Sequence, residues 1–188
     1  MTNEEKINVI AEHVERIMST LGIPCTESTQ KTPLRVAKMY VNEVFKNQTV
    51  DEEELRLQVT TFENKMGQDM VIVKDIPFYS TCEHHLMPFS GKISIGYIPR
   101  HRLIGLSKLP RIVKFYSKKA QLQEHLVSEI ADFIYKELDP LVVFVHATEC
   151  VHTCVTARGI ETYCETDTLV SRGNDARYKS EFLSRINK

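Results

Sequence analysis

The chain has 188 residues, 42% hydrophobic and 26% charged, enough for one substantial core or a core with a small appendage. Its 24 lysines and arginines nearly balance 25 aspartates and glutamates, so no general field draws nucleic acid or an anionic membrane, and any phosphate site must be local. The N-terminal stretch starts acidic, with Glu4 and Glu5, and no segment reaches the roughly 20 apolar residues of a membrane span; a cytoplasmic protein without a signal peptide is expected.

Ile7, Ile10, Val14, Ile17, Met18 and Leu21 recur at spacings of three and four, which predicts an amphipathic helix over about residues 3–20, ended by Gly22 and Pro24. Thr32 before Pro33 reads as a hydroxyl N-cap with proline at the first helical position, opening a second helix that ends near Lys46. Residues 47–54 are polar and acidic and read as a linker or helix entry. Two domains follow from this: an N-terminal helical hairpin with its linker over 1–54, and a main body over 55–188.

From Leu57 the hydrophobic period changes to two. Val59, Thr61 and the run Met70-Val71-Ile72-Val73 predict strands, and residues 92–98 alternate small or polar with bulky apolar side chains, so an antiparallel pair is expected around the turn at 82–85. Residues 106–119 and 121–138 read as helices, the second with Leu122, Leu126, Ile130, Phe133, Ile134 and Leu138 on one face. Residues 141–145 predict a buried strand, whose continuation to Thr156 alternates so that Cys150, His152 and Cys154 share one face. The order is strand, strand, helix, helix, strand, strand, with a last short helix over about 175–186.

Residues 82–85 read Cys-Glu-His-His and residues 150–154 read Cys-Val-His-Thr-Cys. Zinc takes thiolates and imidazoles tetrahedrally, and a catalytic site uses three protein ligands and leaves the fourth position to water; Cys82, His85 and Cys154 would supply that set. His84 and His152 lie one and two residues from those ligands, close enough to move protons on a bound molecule. A lone buried cysteine is more often core than ligand, but a cysteine and histidine three apart at a turn with Cys-x-His-x-Cys later favours metal. Five cysteines, an odd number, also favour metal binding or catalysis over a disulfide framework. Cys150 and Cys154 lie about 13 Å apart on an extended strand, so Cys150 is read as packing.

Weaker signals gather around that set. Ser107, Lys108 and Arg111 open a predicted helix, where amide donors, the dipole and cations favour phosphate. Arg35, Lys38 and Arg158 could face an anion, although surface pairing is their ordinary use. Glu124, beside Gln123, could accept the N–H edge of a purine such as guanine, although a helix-surface glutamate usually only solubilises. His13, His101 and His146 have no recognisable partner.

Five ordered stretches carry a resemblance: 31–40 (Lys-Thr-Pro-Leu-Arg-Val-Ala-Lys-Met-Tyr), 82–91 (Cys-Glu-His-His-Leu-Met-Pro-Phe-Ser-Gly), 104–113 (Ile-Gly-Leu-Ser-Lys-Leu-Pro-Arg-Ile-Val), 121–124 (Gln-Leu-Gln-Glu), and His152-Thr153-Cys154 with Ala157-Arg158-Gly159. Together they resemble GTP cyclohydrolase I from about residue 5 onward. The resemblance implies an α+β tunnelling fold, an antiparallel four-stranded sheet with two helices between its second and third strands, assembled as a homodecamer of two pentamers with shared active sites. It implies zinc on Cys82, His85 and Cys154, and opening of GTP by activated water attacking C8 of guanine, yielding 7,8-dihydroneopterin triphosphate and formate for tetrahydrofolate, pterin or deazapurine synthesis. His152 would protonate N7, and His84 and Ser107 would transfer protons at the ribose. Glu124 with Gln123 would read the guanine edge, and Lys108, Arg111, Arg158 and, from another subunit, Arg35 would hold the triphosphate. Two departures stand out: His125 follows the Gln-Glu pair where many relatives have arginine, and residues 161–168 include Glu161, Glu165 and Asp167 where a Ser/Thr-rich stretch is expected. Glu165 and Asp167 would repel a triphosphate unless they point away. A sister enzyme of the same fold and a zinc-stabilised binding module without catalysis are the rival readings.

Overall fold

The computed structural model describes residues 1–65, 67–159, 164–174 and 176–187. It divides into two compact units, Met1–Thr49 and Val50–Lys188.

The first unit begins with α1, Asn3–Thr20. Thr2 Oγ1 accepts the Glu5 N–H at 3.2 Å and Glu5 Oε2 accepts the Thr2 N–H at 2.7 Å, so each side chain satisfies the other residue's otherwise orphaned amide. In α2, Thr32–Met39, Thr32 is itself the first helical residue rather than the cap; Lys31 precedes it and makes no side-chain cap bond, and Pro33 sits in the first turn, where an amide is not needed. The helix then widens into a π turn, Tyr40–Val44, closed by the Phe45 N–H on the Tyr40 carbonyl at 2.9 Å.

The second unit opens with α3, Glu52–Arg56, inside the stretch expected as a linker. Asp51 caps it by accepting the Glu53 N–H at 3.0 Å, and Arg56 donates to Glu137 at 2.6 Å. Then come β1 (Thr61–Glu63), β2 (Val71–Cys82), β3 (Pro88–Ile98), β4 (Arg102–Ile104), α4 (Lys108–Ser117), β5 (Ala120–Gln121), α5 (Gln123–Leu138), β6 (Val142–His152), α6 (Thr153–Ala157), β7 (Thr166–Gly173) and α7 (Lys179–Ile186). β1 and β4 form a small antiparallel ribbon. The main sheet runs β5-β2-β3-β6-β7, antiparallel throughout its four long strands, with only the two-residue β5 parallel to the end of β2.

Each face of this sheet has its own cover. α4 and α5 lie between the second and third long strands and bury Leu109, Ile112, Ile130 and Ile134 against Ile93, Val143 and Val145. Each such side chain contributes about 1.5–3 kcal/mol by leaving water. On the other face α7 places Phe182 on Phe144, with ring centroids 5.0 Å apart, beside Met70, Ile98 and Val142. The alternation Val142, Phe144 against Val143, Val145 is what a strand covered on both sides requires.

The strand β6 breaks that alternation once. Lys92 pairs with Thr148 and Ser90 with Val151, while on the other side Thr168 pairs with Ala147 and Thr166 with Cys150. Two steps on each neighbour therefore match three on β6. This is a β-bulge of one extra residue, with Glu149 in the left-handed region at φ 51. As a result Ala147 and Cys150, three apart, both belong to the helix-covered core.

Two sequence expectations change here. The fourth long strand is β7, which the sequence reading did not identify; Thr166-Asp167-Thr168 is too polar to read as a strand until its neighbour is known. Cys154 does not continue the strand face of Cys150 and His152, because β6 ends at His152 and Cys154 lies in α6.

Candidate metal centre

The turn between β2 and β3 folds His85 back over Cys82. The Leu86 N–H bonds the Cys82 carbonyl at 2.9 Å and the Cys82 N–H bonds the Met87 carbonyl at 2.8 Å, with Leu86 held at φ 52. His85 Nδ1 then lies 3.9 Å from Cys82 Sγ. The third group arrives from α6, which Thr153 Oγ1 ties to the start of β3 by donating to the Pro88 carbonyl at 2.6 Å. Donor atoms of Cys82, His85 and Cys154 all fall within 4.8 Å of one another. Tetrahedral ligands of zinc stand roughly 3.5–3.8 Å apart, so a small contraction would close this set on an ion. Both thiols are buried and the imidazole is exposed, leaving one open side.

The chemistry of the donors fits a cation as well. Burial, and then Cys82 beside it, push the Cys154 thiol up, while Arg158 opposes the shift. A thiophilic ion would displace those protons and neutralise two buried thiolates together. Cys150 behaves differently: it donates to the Thr148 carbonyl at 3.4 Å, and burial followed by Asp167 pushes its thiol up to about 12. It stays a packed thiol, and among the described residues no fourth histidine, cysteine or carboxylate joins the three.

His152 ends β6 on the helix-covered face because the bulge has moved it there. Its ring stacks on Phe89, centroids 4.5 Å apart and planes 4° from parallel, and its Nε2 lies 2.8 Å from Gln123 Oε1. Burial lowers its pKa, and the negative charge of Glu124 works against that. Gln123, first residue of α5, is only 3% exposed and its amide is fully engaged: Oε1 also accepts from Thr166 Oγ1 at 2.6 Å, and Nε2 donates to Thr168 Oγ1 at 2.8 Å. Glu124 follows it, exposed.

The remaining candidates are placed less tightly. His84 is exposed, its ring 6.1 Å from that of His85. Ser107 precedes α4 without a side-chain cap bond, and Lys108 and Arg111 lie in its first turn, Lys108 half-buried and Arg111 exposed. No described hydrogen bond or ion pair joins these three to Cys82, His85 or Cys154. Arg158 is the exposed C-cap of α6. Arg35 is an exposed residue of the first unit.

Sequence reading missed Phe89, Thr166 and Thr168, the residues that hold His152 and Gln123. It also found no partner for His146, whose Nε2 stands 2.6 Å from Asp167 Oδ2. Asp167 alternates with Thr166 and Thr168 along β7, so it points to the face opposite Gln123. Glu161 lies outside the described residues.

Comparison with known proteins identifies the family of the chain. The family model for GTP cyclohydrolase I matches residues 10–187. GTP cyclohydrolase 1 of Brevibacillus brevis is 43% identical over 95% of this chain and 96% of its own, and that of Streptococcus agalactiae serotype V is 43% identical over 100% of both. That of Sodalis glossinidius is 40% identical over 99% of this chain and 85% of its own. Among solved structures, the archaeosine synthase QueF-Like in the apo form matches 56% of this chain and 94% of its own at 20% identity, with a TM-score of 0.46. Two helices set between the second and third long strands of an antiparallel sheet make this a tunnelling fold. No helix among the described residues is long and apolar enough to cross a membrane. On the match of its sequence from residue 10 to 187, the chain belongs to the GTP cyclohydrolase I family of hydrolases.

Proposed function

We propose that the protein converts GTP and water to 7,8-dihydroneopterin triphosphate and formate with a zinc ion held by Cys82, His85 and Cys154. The observation that carries this is the convergence of those three donors within 4.8 Å beside a half-buried histidine, His152, in a chain of this family. Bound there, zinc would supply the Lewis acidity that brings water towards hydroxide near pH 7.

The protein's own groups do the rest. His152 delivers a proton to guanine N7 as water adds at C8, which weakens the imidazole ring and lets C8 leave as formate. Glu124 accepts the N–H edge of guanine, a pattern adenine cannot offer. Lys108, Arg111 and Arg158 meet the triphosphate, and Arg35 comes from a neighbouring copy, so that charge-assisted bonds hold the polyanion. His84 and Ser107 move protons as the ribose opens, rearranges and closes onto the pyrimidine. The working form is a homodecamer in the cytoplasm, with each site completed across an interface, and the product feeds tetrahydrofolate, pterin or deazapurine synthesis. The catalytic groups belong to a domain over 55–188, and residues 1–54 form an N-terminal helical hairpin with its linker.

A GTP turnover assay with and without chelator, combined with metal analysis, tests the reading. Formate release and a fluorescent pterin after oxidation, both lost on chelation and restored by zinc, are the expected results. Zinc-loaded protein that releases no formate would leave only a binding module, and a different product would move the chain to a sister activity.

A further inference from the structure

The amide of Gln123 is buried and makes three side-chain hydrogen bonds in the site. A primary amide has two ends of nearly equal shape, one accepting and one donating, and its neighbours decide which faces where. Thr168 and Thr166 from β7 flank it at 2.8 and 2.6 Å, and His152 Nε2 takes the remaining direction at 2.8 Å. Threonine hydroxyls both give and accept, so each arrangement has to be weighed.

With Oε1 towards His152, Thr166 donates to Oε1 over 2.6 Å and Thr168 accepts from Nε2 over 2.8 Å. With the amide turned over, Thr166 would accept from Nε2 and its own proton would have to reach the Cys150 carbonyl, 3.4 Å away. That is a long bond in place of a short one. Thr166 thereby selects the first arrangement. An oxygen facing His152 Nε2 can only accept, so that nitrogen must carry the hydrogen.

We propose that Gln123, set by Thr166 and Thr168, is a positioning residue that holds the His152 ring with Nε2–H turned inward, leaving Nδ1 as the nitrogen that meets guanine. The two ring nitrogens diverge, so the one facing away from Gln123 is the one free for substrate. Phe89 fixes the ring plane by stacking, and the amide fixes its rotation within that plane. In the proton transfer the Nδ1–H bond breaks, its electron pair stays on Nδ1, and an N7–H bond forms on the base. The neutral ring left behind is the Nε2–H tautomer that Gln123 already binds. This role rests on the reading of His152 as the proton donor to N7, and it takes Gln123 away from the guanine edge.

The test uses isosteric changes that keep the fold. In zinc-loaded protein labelled with ¹⁵N-histidine, solid-state NMR, with His152→Asn to assign the signal, should show the Nε2–H tautomer. Thr166→Val should give a mixture of tautomers, and Thr166→Ser should restore the wild-type signal. Kinetically, Thr166→Val and Gln123→Met should lower kcat on the order of tenfold to a hundredfold with KM for GTP nearly unchanged, as expected when a reacting group is misplaced rather than binding lost. A wild-type Nδ1–H tautomer, or a Thr166→Val signal identical to wild type, would overturn the proposal. So would a Gln123→Met effect confined to KM, which would return Gln123 to guanine recognition. Wild-type protein that turns over no GTP would overturn the functional reading, while the tautomer signal still decides the positioning role.

Discussion

The two halves of β6 do opposite work. From Val142 to Ala147 the strand runs in step with β3 and β7, and its helix-facing side chains, Val143, Val145 and Ala147, are fully buried hydrocarbon. Past Thr148 one extra residue enters, and the same face now carries Cys150 and His152, with Cys154 in the turn of helix beyond. A regular strand would have sent His152 to the other side, towards α7. Buried hydrocarbon lines the half that obeys the two-residue period, and the candidate site lies against the half that breaks it.

The largest effect should come from the residue that the irregular half leads to, Cys154 in α6. Cys154→Ser is expected to lose zinc on dialysis and to reduce GTP turnover to background, with the secondary structure retained; metal analysis and circular dichroism read both. His152→Ala is expected to keep its zinc and to lose ring opening by about 10²–10⁴-fold, the worth of a general acid. Loss of metal as well would mean that ligand and acid had been wrongly separated. Gly91 lies on β3 opposite the bulge, where an added Cβ would come within 2.6 Å of Cys150 Sγ and 2.8 Å of the Thr148 carbonyl. Gly91→Ala should therefore cost about 1–3 kcal/mol in urea unfolding, by forcing the two strands apart. The smallest change sharpens the comparison in the other direction. Glu149→Gly relieves a left-handed non-glycine residue and gives up only an exposed pair with Lys92, so unfolding should show a gain of about 1 kcal/mol or less.

Much of the site was legible because its chemistry is local. Cysteine and histidine three apart at a turn announce a pair of donor groups, and the helix faces of α4 and α5 announce the sheet they cover. The bulge was not legible. Glu149 is neither glycine nor asparagine, and an extra residue is visible only against the register of both neighbours. For the same reason the sequence pattern of Cys154 is that of a strand residue, although one turn of helix carries it. β7 escaped because Thr166, Asp167 and Thr168 have no apolar alternation, each being chosen for a partner distant in sequence: Gln123 for the threonines and His146 for the aspartate. Gln123 itself was expected to face guanine, since a sequence shows the residue type beside Glu124 but not that its amide is enclosed.

The position of β7 has a thermal consequence. Among the described residues of one chain it pairs with β6 and stands at the end of the sheet order. Margins open before centres do, at a fraction of the free energy that melts the whole. On warming, the threonines would peel from Gln123 while the inner strands still hold, so activity should fade some degrees before the fold does, and amide exchange along residues 166–173 should report the loss first.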